Sequence, residues 1–302
     1  MELIELLKAV FFGLVEGITE WLPISSTGHM ILFDKFVTLN VSKQFLDMFL
    51  VVIQLGAIMA VIVLYFHKLN PFSPRKDSLE KRGTLMLWAK VLVACIPAAV
   101  IGLLFDSWVK DHYYTAVVVA CALIIYGIAF IVVERVKRSA NRAFYLHGRG
   151  RHFSSNPLEE TDELNSLSFP KALCIGLFQC LAIIPGTSRS GSTILGALIL
   201  GVTRKTAAEF SFFLAIPVMF GWSLLRVVKA FMVEHLVCTS TEWGVLVFGV
   251  LVSFMVSVLA IKLLMGFIKQ HSFELFGWYR IGLGILVIVY FAVFGGLFDL
   301  AS

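Results

Sequence analysis

Long apolar stretches alternate with short polar segments along most of the chain. Four windows contain no Asp, Glu, Lys or Arg, at 48–66, 113–133, 243–261 and 281–298. A helix needs about 20 apolar residues to cross the hydrocarbon core of a bilayer. Because these runs are continuously apolar, they favour helices over the alternating strands of a β-barrel. The pattern predicts six membrane crossings, at about 48–66, 85–105, 113–133, 210–231, 243–265 and 281–298.

Two further apolar stretches are interrupted by a proline and by ionisable residues. Residues 9–33 contain Glu16 and Glu20, and residues 172–203 contain Arg189. Irregular backbone at membrane depth is tolerated only where protein or a water-filled cavity surrounds it. We therefore expect each stretch to form a re-entrant hairpin, made of a helix, a polar break and a second helix.

The two broken stretches also resemble each other. At a constant offset, residues 13–32 and 176–195 share Gly13/Gly176, Leu14/Leu177, Ser25/Ser188, Gly28/Gly191, Ile31/Ile194 and Leu32/Leu195. Three predicted crossings follow each copy, which favours an internal duplication over coincidence. The predicted fold class is an all-α polytopic membrane protein, with six transmembrane helices and two re-entrant hairpins in an inverted repeat. The predicted segments are a first repeat over 1–134, a basic cytoplasmic loop over 135–171 and a second repeat over 172–302.

Composition and charge exclude a soluble domain and predict an orientation. Of the 302 residues, 59% are hydrophobic and 15% are charged, whereas soluble domains have about 45–50% apolar and about 25% charged residues. The net charge of +5 comes from basic residues clustered between the apolar spans. The positive-inside rule explains such clusters, so no nucleic-acid partner is expected, and segments 67–84 and 135–171 should be cytoplasmic. The 234–242 segment and both termini should then lie on the outer side of the membrane.

The first hairpin carries two carboxylates. Glu16 and Glu20 lie four residues apart, so on a helix they share one face. Ionisable residues within a membrane are functional candidates by default. The pair could act as acid and base, or hold a divalent cation, Mg²⁺ or Ca²⁺, together with phosphate oxygens. Alternatively, residues 9–22 lie at the membrane interface and both carboxylates are solvated.

A run of hydroxyl groups follows these carboxylates. Ser26 offers a nucleophile and His29 an imidazole that can exchange a proton near neutral pH. Ser25, Thr27 and Gly28 could supply donors to an anion. Alternatively, the serines and threonine form an ordinary helix N-cap, which is compatible with anion binding because both use the same donors.

The second hairpin contains an isolated arginine. Arg189 is the only charged residue between positions 172 and 203, and its planar fork suits phosphate oxygens. The neighbouring Ser188, Ser190 and Thr193 would help to form a nest for a multiply charged anion. Alternatively, Arg189 pairs with Glu16 or Glu20 as a structural bridge. Two further polar residues, Gln54 and Glu209, could line the same cavity or satisfy contacts between helices.

These motifs resemble the signatures of a known family. The strings at 16–29 (EGITEWLPISSTGH) and 185–191 (PGTSRSG) are similar to the two signature motifs of the undecaprenyl-diphosphate phosphatase family, also called the bacitracin-resistance protein. The segments 52–56 (VIQLG) and 209–212 (EFSF) resemble two further family segments. The similarity extends over essentially the whole chain. Two departures are Leu50, where relatives often have an acidic residue, and a longer 135–171 loop.

The resemblance implies an integral membrane enzyme with six crossings, two re-entrant hairpins and inverted repeats. Its substrate would be an isoprenoid diphosphate lipid, and its product the monophosphate carrier used for peptidoglycan and other cell-wall polymers. By position, the implied active-site residues are Glu16, Glu20, Ser26, His29 and Arg189. Resistance to bacitracin would follow because the antibiotic acts on the substrate rather than on the protein. The lipid bilayer is the surrounding partner, and a homodimer is possible.

Two questions stay open at this stage. Either Ser26 or His29 could be the nucleophile, since residues three apart share a helix face. A transporter or flippase for a phosphate-bearing lipid or anion is the alternative function, because inverted repeats with broken helices are typical of transporters. A serine beside a proton-exchanging histidine favours the enzyme.

Overall fold

A computed structural model describes residues 2–34, 36–147 and 164–295, and the regular elements of these ranges are helices. The eleven α-helices are α1 (Glu2–Thr19), α2 (Ser26–Asp34), α3 (Lys43–Leu64), α4 (Phe66–Leu69), α5 (Ser78–Tyr113), α6 (Ala116–His147), α7 (Phe169–Cys180), α8 (Arg189–Ile199), α9 (Arg204–Val228), α10 (Ser240–Phe267) and α11 (Glu274–Phe294). Short 3₁₀ turns occupy Leu164–Ser166 and Leu181–Ile183, and a π-helical turn, Lys229–Val233, extends α9.

Within the described residues, six segments are long and apolar enough to cross a membrane, as predicted. They are Lys43–Leu64, Ser78–Phe105, Ala116–Ala140, Arg204–Val233, Ser240–Phe267 and Glu274–Phe294. Each overlaps one predicted crossing, and most extend beyond it by several residues. Residues 296–298 of the last predicted crossing lie outside the described residues. The protein is therefore a helical multi-pass membrane protein.

The predicted loop at 135–171 is wrong in its first part. Helix α6 continues to His147, because the charged segment from Glu134 onward consists mainly of good helix formers such as Arg, Lys and Ala. The apolar pattern ends at Glu134 because charged residues begin there, whereas the helix continues. Residues 148–163 lie outside the described residues, and α7 begins at Phe169.

Both interrupted stretches form a helix, a break and a helix. In the first, α1 and α2 pack together through an edge-to-face contact of Phe11 and Phe33, whose ring centroids are 5.2 Å apart. In the second, α7 and α8 approach so closely that a Cβ at Gly196 would lie 2.4 Å from the Phe178 ring. The re-entrant path and the inverted repeat stay predictions.

Contacts group the described residues into two compact units, each of which draws on both predicted repeats. Unit 1 comprises the described parts of Met1–Leu22, Ser26–Leu92 and Phe212–Leu264. Its apolar core is formed by Ala9, Phe12, Val15, Met30, Leu39, Phe45, Met48, Phe49, Ile53, Ala230 and Val245. Within it, α1 packs on α10 where a Cβ at Gly13 would lie 2.7 Å from the Gly249 carbonyl oxygen.

Unit 2 comprises the described parts of Pro23–Ser25, Val93–Ser211 and Met265–Ser302. Helices α6 and α11 cross at two glycines, and a Cβ at Gly277 would lie 2.6 Å from the Gly127 carbonyl oxygen. Small residues at such crossings let the backbones of membrane helices approach closely. An ion pair between a half-buried arginine and a buried carboxylate also links α9 to α6 in this unit, because Arg204 donates two hydrogen bonds to the Glu134 carboxylate at 2.9 and 2.6 Å.

Candidate active site

The two candidate carboxylates lie at the end of α1 within unit 1. Glu20 follows the last helical residue, and its N–H donates to the Glu16 carbonyl at 3.0 Å, so the helical spacing continues to Glu20. The side chains are buried, with 1% and 7% of their surfaces exposed for Glu16 and Glu20. This burial disagrees with the alternative in which both carboxylates are solvated at an interface.

Ser26 and His29 lie one turn apart at the start of α2, also in unit 1. The Ser26 hydroxyl donates a hydrogen bond of 2.8 Å to Glu20 Oε2. His29 is buried, with 4% of its surface exposed, and its ring lies 6.3 Å from that of Phe33. The structure therefore places a serine hydroxyl directly on a buried carboxylate.

Two strained serines precede the helices that carry the candidate residues. Ser25, immediately before α2, has φ 75°, and Ser188, immediately before α8, has φ 70°. Positive φ is uncommon for residues with a Cβ and is costly when it occurs outside glycine. The sequence repeat pairs these same two serines. Both breaks therefore contain a serine with positive φ at matching positions.

The predicted anion nest lies at the start of α8 in unit 2. Ser188 caps the helix, because its hydroxyl accepts from the Gly191 N–H at 3.1 Å. The Ser188 and Ser190 hydroxyls are 3.1 Å apart and hydrogen bonded. Such a cap is compatible with anion binding, because both use the donors of a helix N-terminus.

Arg189 is the first residue of α8 and is half-buried. Its Nη1 donates to the Ser211 carbonyl oxygen at 2.8 Å. Thr193, one turn further, is fully buried, and its hydroxyl lies 2.6 Å from the Ser211 hydroxyl. Ser211 therefore holds two of the candidate residues of the second motif, although the sequence pattern did not single it out.

The remaining candidates are distributed over both units. In unit 1, Thr27 lies partly buried and Gly28 buried within α2, and Gln54 is half-buried in the middle of α3. In unit 2, Ser25 is fully buried, and Glu209 lies in α9 with 6% of its surface exposed. The roles of these residues in binding a substrate stay predictions.

Two buried polar residues of unit 2 were missed as candidates by sequence reasoning. Arg280 has no exposed surface and donates to carbonyl oxygens of both breaks. The predicted crossing began at residue 281 because a charge was taken as its edge, whereas α11 begins at Glu274. Gln179, in α7, aligns with Glu16 at the constant offset of the two interrupted stretches. Its buried amide makes no hydrogen bond within the described residues.

The donor set fits a divalent cation that is completed by substrate. Among the described residues, no group of three or more His, Cys, Asp or Glu side chains could hold a metal ion. Glu16 and Glu20 supply two buried carboxylates. Mg²⁺ commonly binds through one or two carboxylates together with substrate phosphates and water. Two carboxylates are therefore a sufficient protein contribution for such an ion.

Fold and site together define a class. In the part of the chain that the structure describes, six helices are long and apolar enough to span a membrane. The end of α1 and the start of α2 carry two buried carboxylates, a serine hydroxyl and a histidine. This combination defines an integral membrane protein equipped for polar chemistry within apolar surroundings.

The comparisons with known proteins identify the family. Residues 9–286 match the family described as bacitracin resistance protein BacA, and the chain belongs to this family. A protein of Enterococcus faecalis named undecaprenyl-diphosphatase is 53% identical over 283 residues, covering 94% of this chain and 96% of that protein. A protein of the same name from Lactiplantibacillus plantarum is 51% identical over 96% of this chain and 99% of its own length. Undecaprenyl-diphosphatase 1 of Clostridioides difficile is 50% identical over 96% and 97%.

Proposed function

We propose that this protein hydrolyses undecaprenyl diphosphate to undecaprenyl phosphate and inorganic phosphate. Its membership of the BacA family and the names of its relatives support this activity. The observation that carries it is the 2.8 Å hydrogen bond from Ser26 to Glu20. The reaction would regenerate the lipid carrier of cell-wall polymers and so confer resistance to bacitracin.

The Ser26–Glu20 contact favours serine over histidine as the nucleophile. Ser26 Oγ attacks the terminal phosphorus, and its proton passes to the Glu20 carboxylate. The bond from that phosphorus to the bridging oxygen breaks, and undecaprenyl phosphate leaves. Water then attacks the phosphorus of the phosphoserine, and the bond from phosphorus to Ser26 Oγ breaks. Inorganic phosphate leaves, and Glu20 returns its proton to Ser26 Oγ. His29, one turn from Ser26 on α2, would exchange the proton of the attacking water.

Arg189 would bind the diphosphate. Phosphoryl transfer depends mainly on positioning and on neutralising the charge of the transferring group. The contact with the Ser211 carbonyl fixes one edge of the Arg189 guanidinium. Its other N–H groups would then donate to phosphate oxygens, and the hydroxyls of Ser188 and Ser190 would add neutral donors.

Glu16 and Glu20 would hold Mg²⁺ or Ca²⁺ if a divalent ion is required. Such an ion supplies Lewis-acid polarisation of the phosphate oxygens when it is bound. The protein residues contribute two carboxylates and a buried setting, in which electrostatic interactions are stronger than in water.

The proposed location is the bacterial cytoplasmic membrane, with the active site facing the exterior. Support comes from the basic segments 67–84 and 135–171, which favour the cytoplasmic side. The isoprenoid tail would remain in the bilayer, and bacitracin would act on the substrate. A homodimer is part of the proposal only as the assembly that the family resemblance suggests. The transporter alternative is not favoured, because the relatives carry the name of a phosphatase.

Phosphate release from a C55 or C15 isoprenyl diphosphate tests the activity in detergent-purified protein. We expect Ser26→Ala to lower turnover by at least ~10³-fold, since it removes the nucleophile. Arg189→Ala should lower it by about 10²-fold, since a charged donor to the phosphate is lost. Ser223→Ala is the matched control, because this buried serine donates to the Val51 carbonyl and lies in α9. A chelator should inhibit, and added Mg²⁺ or Ca²⁺ should restore activity.

A double variant tests whether both motifs act on the same diphosphate. Residues that act as a unit show strongly non-additive losses. Ser26→Ala/Arg189→Ala should therefore be little slower than Ser26→Ala alone. Wild-type protein that binds the lipid diphosphate through Arg189 but releases no phosphate would contradict the enzyme and favour the carrier.

A further inference from the structure

Arg280 is a fully buried arginine in the membrane-spanning helix α11. It is the seventh residue of the helix, and 0% of its surface is exposed. A buried charge is costly unless it is hydrogen bonded. The contacts of Arg280 must therefore offset the free-energy cost of burying its charge.

The Arg280 guanidinium donates to three backbone carbonyl oxygens of unit 2. Nη1 reaches the Pro23 oxygen at 3.0 Å. Nη2 reaches the oxygens of Gly186 and Thr187, both at 2.8 Å. The guanidinium carbon also lies 5.3 Å from the centroid of the Tyr126 ring, a distance at which a cation is attracted to the ring face. One side chain thus contacts the breaks of both motifs.

These carbonyls belong to the backbone just before the two strained serines. Pro23 lies two residues before Ser25, and Thr187 lies directly before Ser188. Both serines have positive φ. Strained residues persist only where the surrounding structure over-determines them. Charge-assisted hydrogen bonds to the preceding carbonyls provide such a constraint at both breaks.

We propose that Arg280 is a positioning residue that fixes both catalytic turns. The strained serines lead directly into Ser26, the first residue of α2, and Arg189, the first residue of α8. By holding the backbone before each serine, Arg280 sets the direction in which the two reactive side chains leave their turns. Its three hydrogen bonds go to backbone carbonyl oxygens, so Arg280 acts through the turns rather than on a reacting group. The catalytic consequence rests on the proposed hydrolysis.

The geometry requires an arginine at this position. A guanidinium presents several donors in a rigid planar fork, whereas a lysine ammonium is a compact charge on a flexible stem. The fork serves three carbonyls on two separate breaks at once. The glycine at position 191 leaves room for the guanidinium, because a Cβ at this residue would lie 2.8 Å from Arg280 Nη1.

Hydrogen–deuterium exchange tests the positioning role without any assay of activity. In Arg280→Lys, we expect faster exchange at both breaks, in peptides covering 20–28 and 184–192. Peptides from α10 should exchange as in the wild type. Gly191→Ala, which keeps the charge but crowds the guanidinium, should have the same effect with smaller amplitude. Unchanged exchange at both breaks in Arg280→Lys would overturn the proposal.

Steady-state kinetics with an isoprenyl diphosphate test the catalytic consequence. A small misplacement of reacting groups can cost about 10²-fold in rate, so kcat of Arg280→Lys should fall by that factor. Because Arg280 is not a substrate ligand, KM should change by less than ~3-fold, as expected when only transition-state interactions are lost. A variant that is only less stable serves as the control. If its kcat falls as much as that of Arg280→Lys, the positioning role is contradicted.

Arg204→Gln provides that destabilised control. It breaks the ion pair with buried Glu134 in the same unit, and Arg204 lies at the start of α9, outside both breaks in the chain. We expect a lower melting temperature with wild-type kcat per folded molecule. The two proposals can fail separately. If exchange at both breaks is faster in Arg280→Lys but the wild-type protein releases no phosphate, the proposed hydrolysis is wrong and the positioning role of Arg280 is retained.

Discussion

At the scale of single residues, two polar groups of the first motif, Glu20 and Ser26, are hydrogen bonded to each other. Glu20 is 7% exposed and accepts a hydrogen bond of 2.8 Å from the Ser26 hydroxyl. A serine hydroxyl is a weak nucleophile unless an adjacent base takes its proton. The contact places such a base at hydrogen-bond distance. In the proposed mechanism, this carboxylate accepts the serine proton in the first step.

Glu20→Gln isolates that function. The amide keeps the size of the side chain and can still accept a hydrogen bond, but it cannot accept the serine proton. We expect kcat to fall by about 10²–10⁴-fold, the usual contribution of general-base catalysis. Initial rates of phosphate release at saturating lipid diphosphate measure it.

Glu5→Gln is the matched control on the same helix. Although partial burial raises the pKa of Glu5, hydrogen bonds from Lys8 and the Asn40 N–H hold that pKa below its usual value. The residue is therefore a surface anion paired outside the motif, and its variant should keep the wild-type rate. A Glu20→Gln protein as active as Glu5→Gln would exclude Glu20 as the base.

Local spacing explains which site residues the sequence could reveal. Glu16 and Glu20 follow each other by four positions on one helix, and Ser26 and His29 by three, so their proximity needs no tertiary information. Arg280 differs because its partners lie 257, 94 and 93 residues away in the chain. Such long-range contacts leave no trace in local periodicity, although a charge seven residues into an apolar helix is itself a signal.

At the scale of helices, the apolar pattern predicted where the spans lie better than where the helices end. Helix α6 runs from Ala116 to His147, whereas the predicted crossing stopped at 133. Hydropathy measures what the bilayer accepts, while helix propensity decides whether the hydrogen-bonded backbone continues into water. The hydropathy pattern also did not predict the close crossing of α6 and α11, because glycine is neither strongly apolar nor strongly polar.

Two glycines of α11 provide a matched test of that crossing. Gly277→Ala would put a Cβ 2.6 Å from the Gly127 carbonyl oxygen, whereas a Cβ at Gly282 has nothing within 4 Å. We expect the first substitution to destabilise the protein by about 1–3 kcal/mol through overpacking. The second should be neutral or slightly stabilising, since Ala favours helix over Gly. Thermal unfolding in detergent measures both, and equal melting temperatures for the two variants would contradict the tight crossing.

At the scale of the whole molecule, large apolar side chains are exposed along the membrane-spanning helices. Leu263 in α10 and Val293 in α11 expose 63% and 69% of their surfaces. A soluble monomer rarely exposes apolar surface so extensively, whereas lipid tails accept it. The class of protein was therefore readable from composition alone. The orientation in the membrane depends instead on loop charges, which only an experiment in cells can test.

Cysteine labelling in intact cells tests the predicted orientation. The five native cysteines are first replaced by alanine. Single cysteines are then introduced by Val237→Cys and Phe72→Cys, at positions that are 86% and 84% exposed. A membrane-impermeant maleimide should label the first in intact cells and the second only after permeabilisation, because basic segments remain cytoplasmic. The reverse pattern would place the proposed active site on the opposite side.

The buried arginine of α11 has a consequence for biogenesis. Inserting a membrane helix that carries an arginine is costly, by about 2.5–3.5 kcal/mol when the charge lies at the helix centre. The carbonyls of Pro23, Gly186 and Thr187 that bind Arg280, and the Tyr126 ring, all precede it in the chain. When α11 leaves the ribosome, these acceptors have already been synthesised. We therefore expect correctly formed turns to favour the integration of α11.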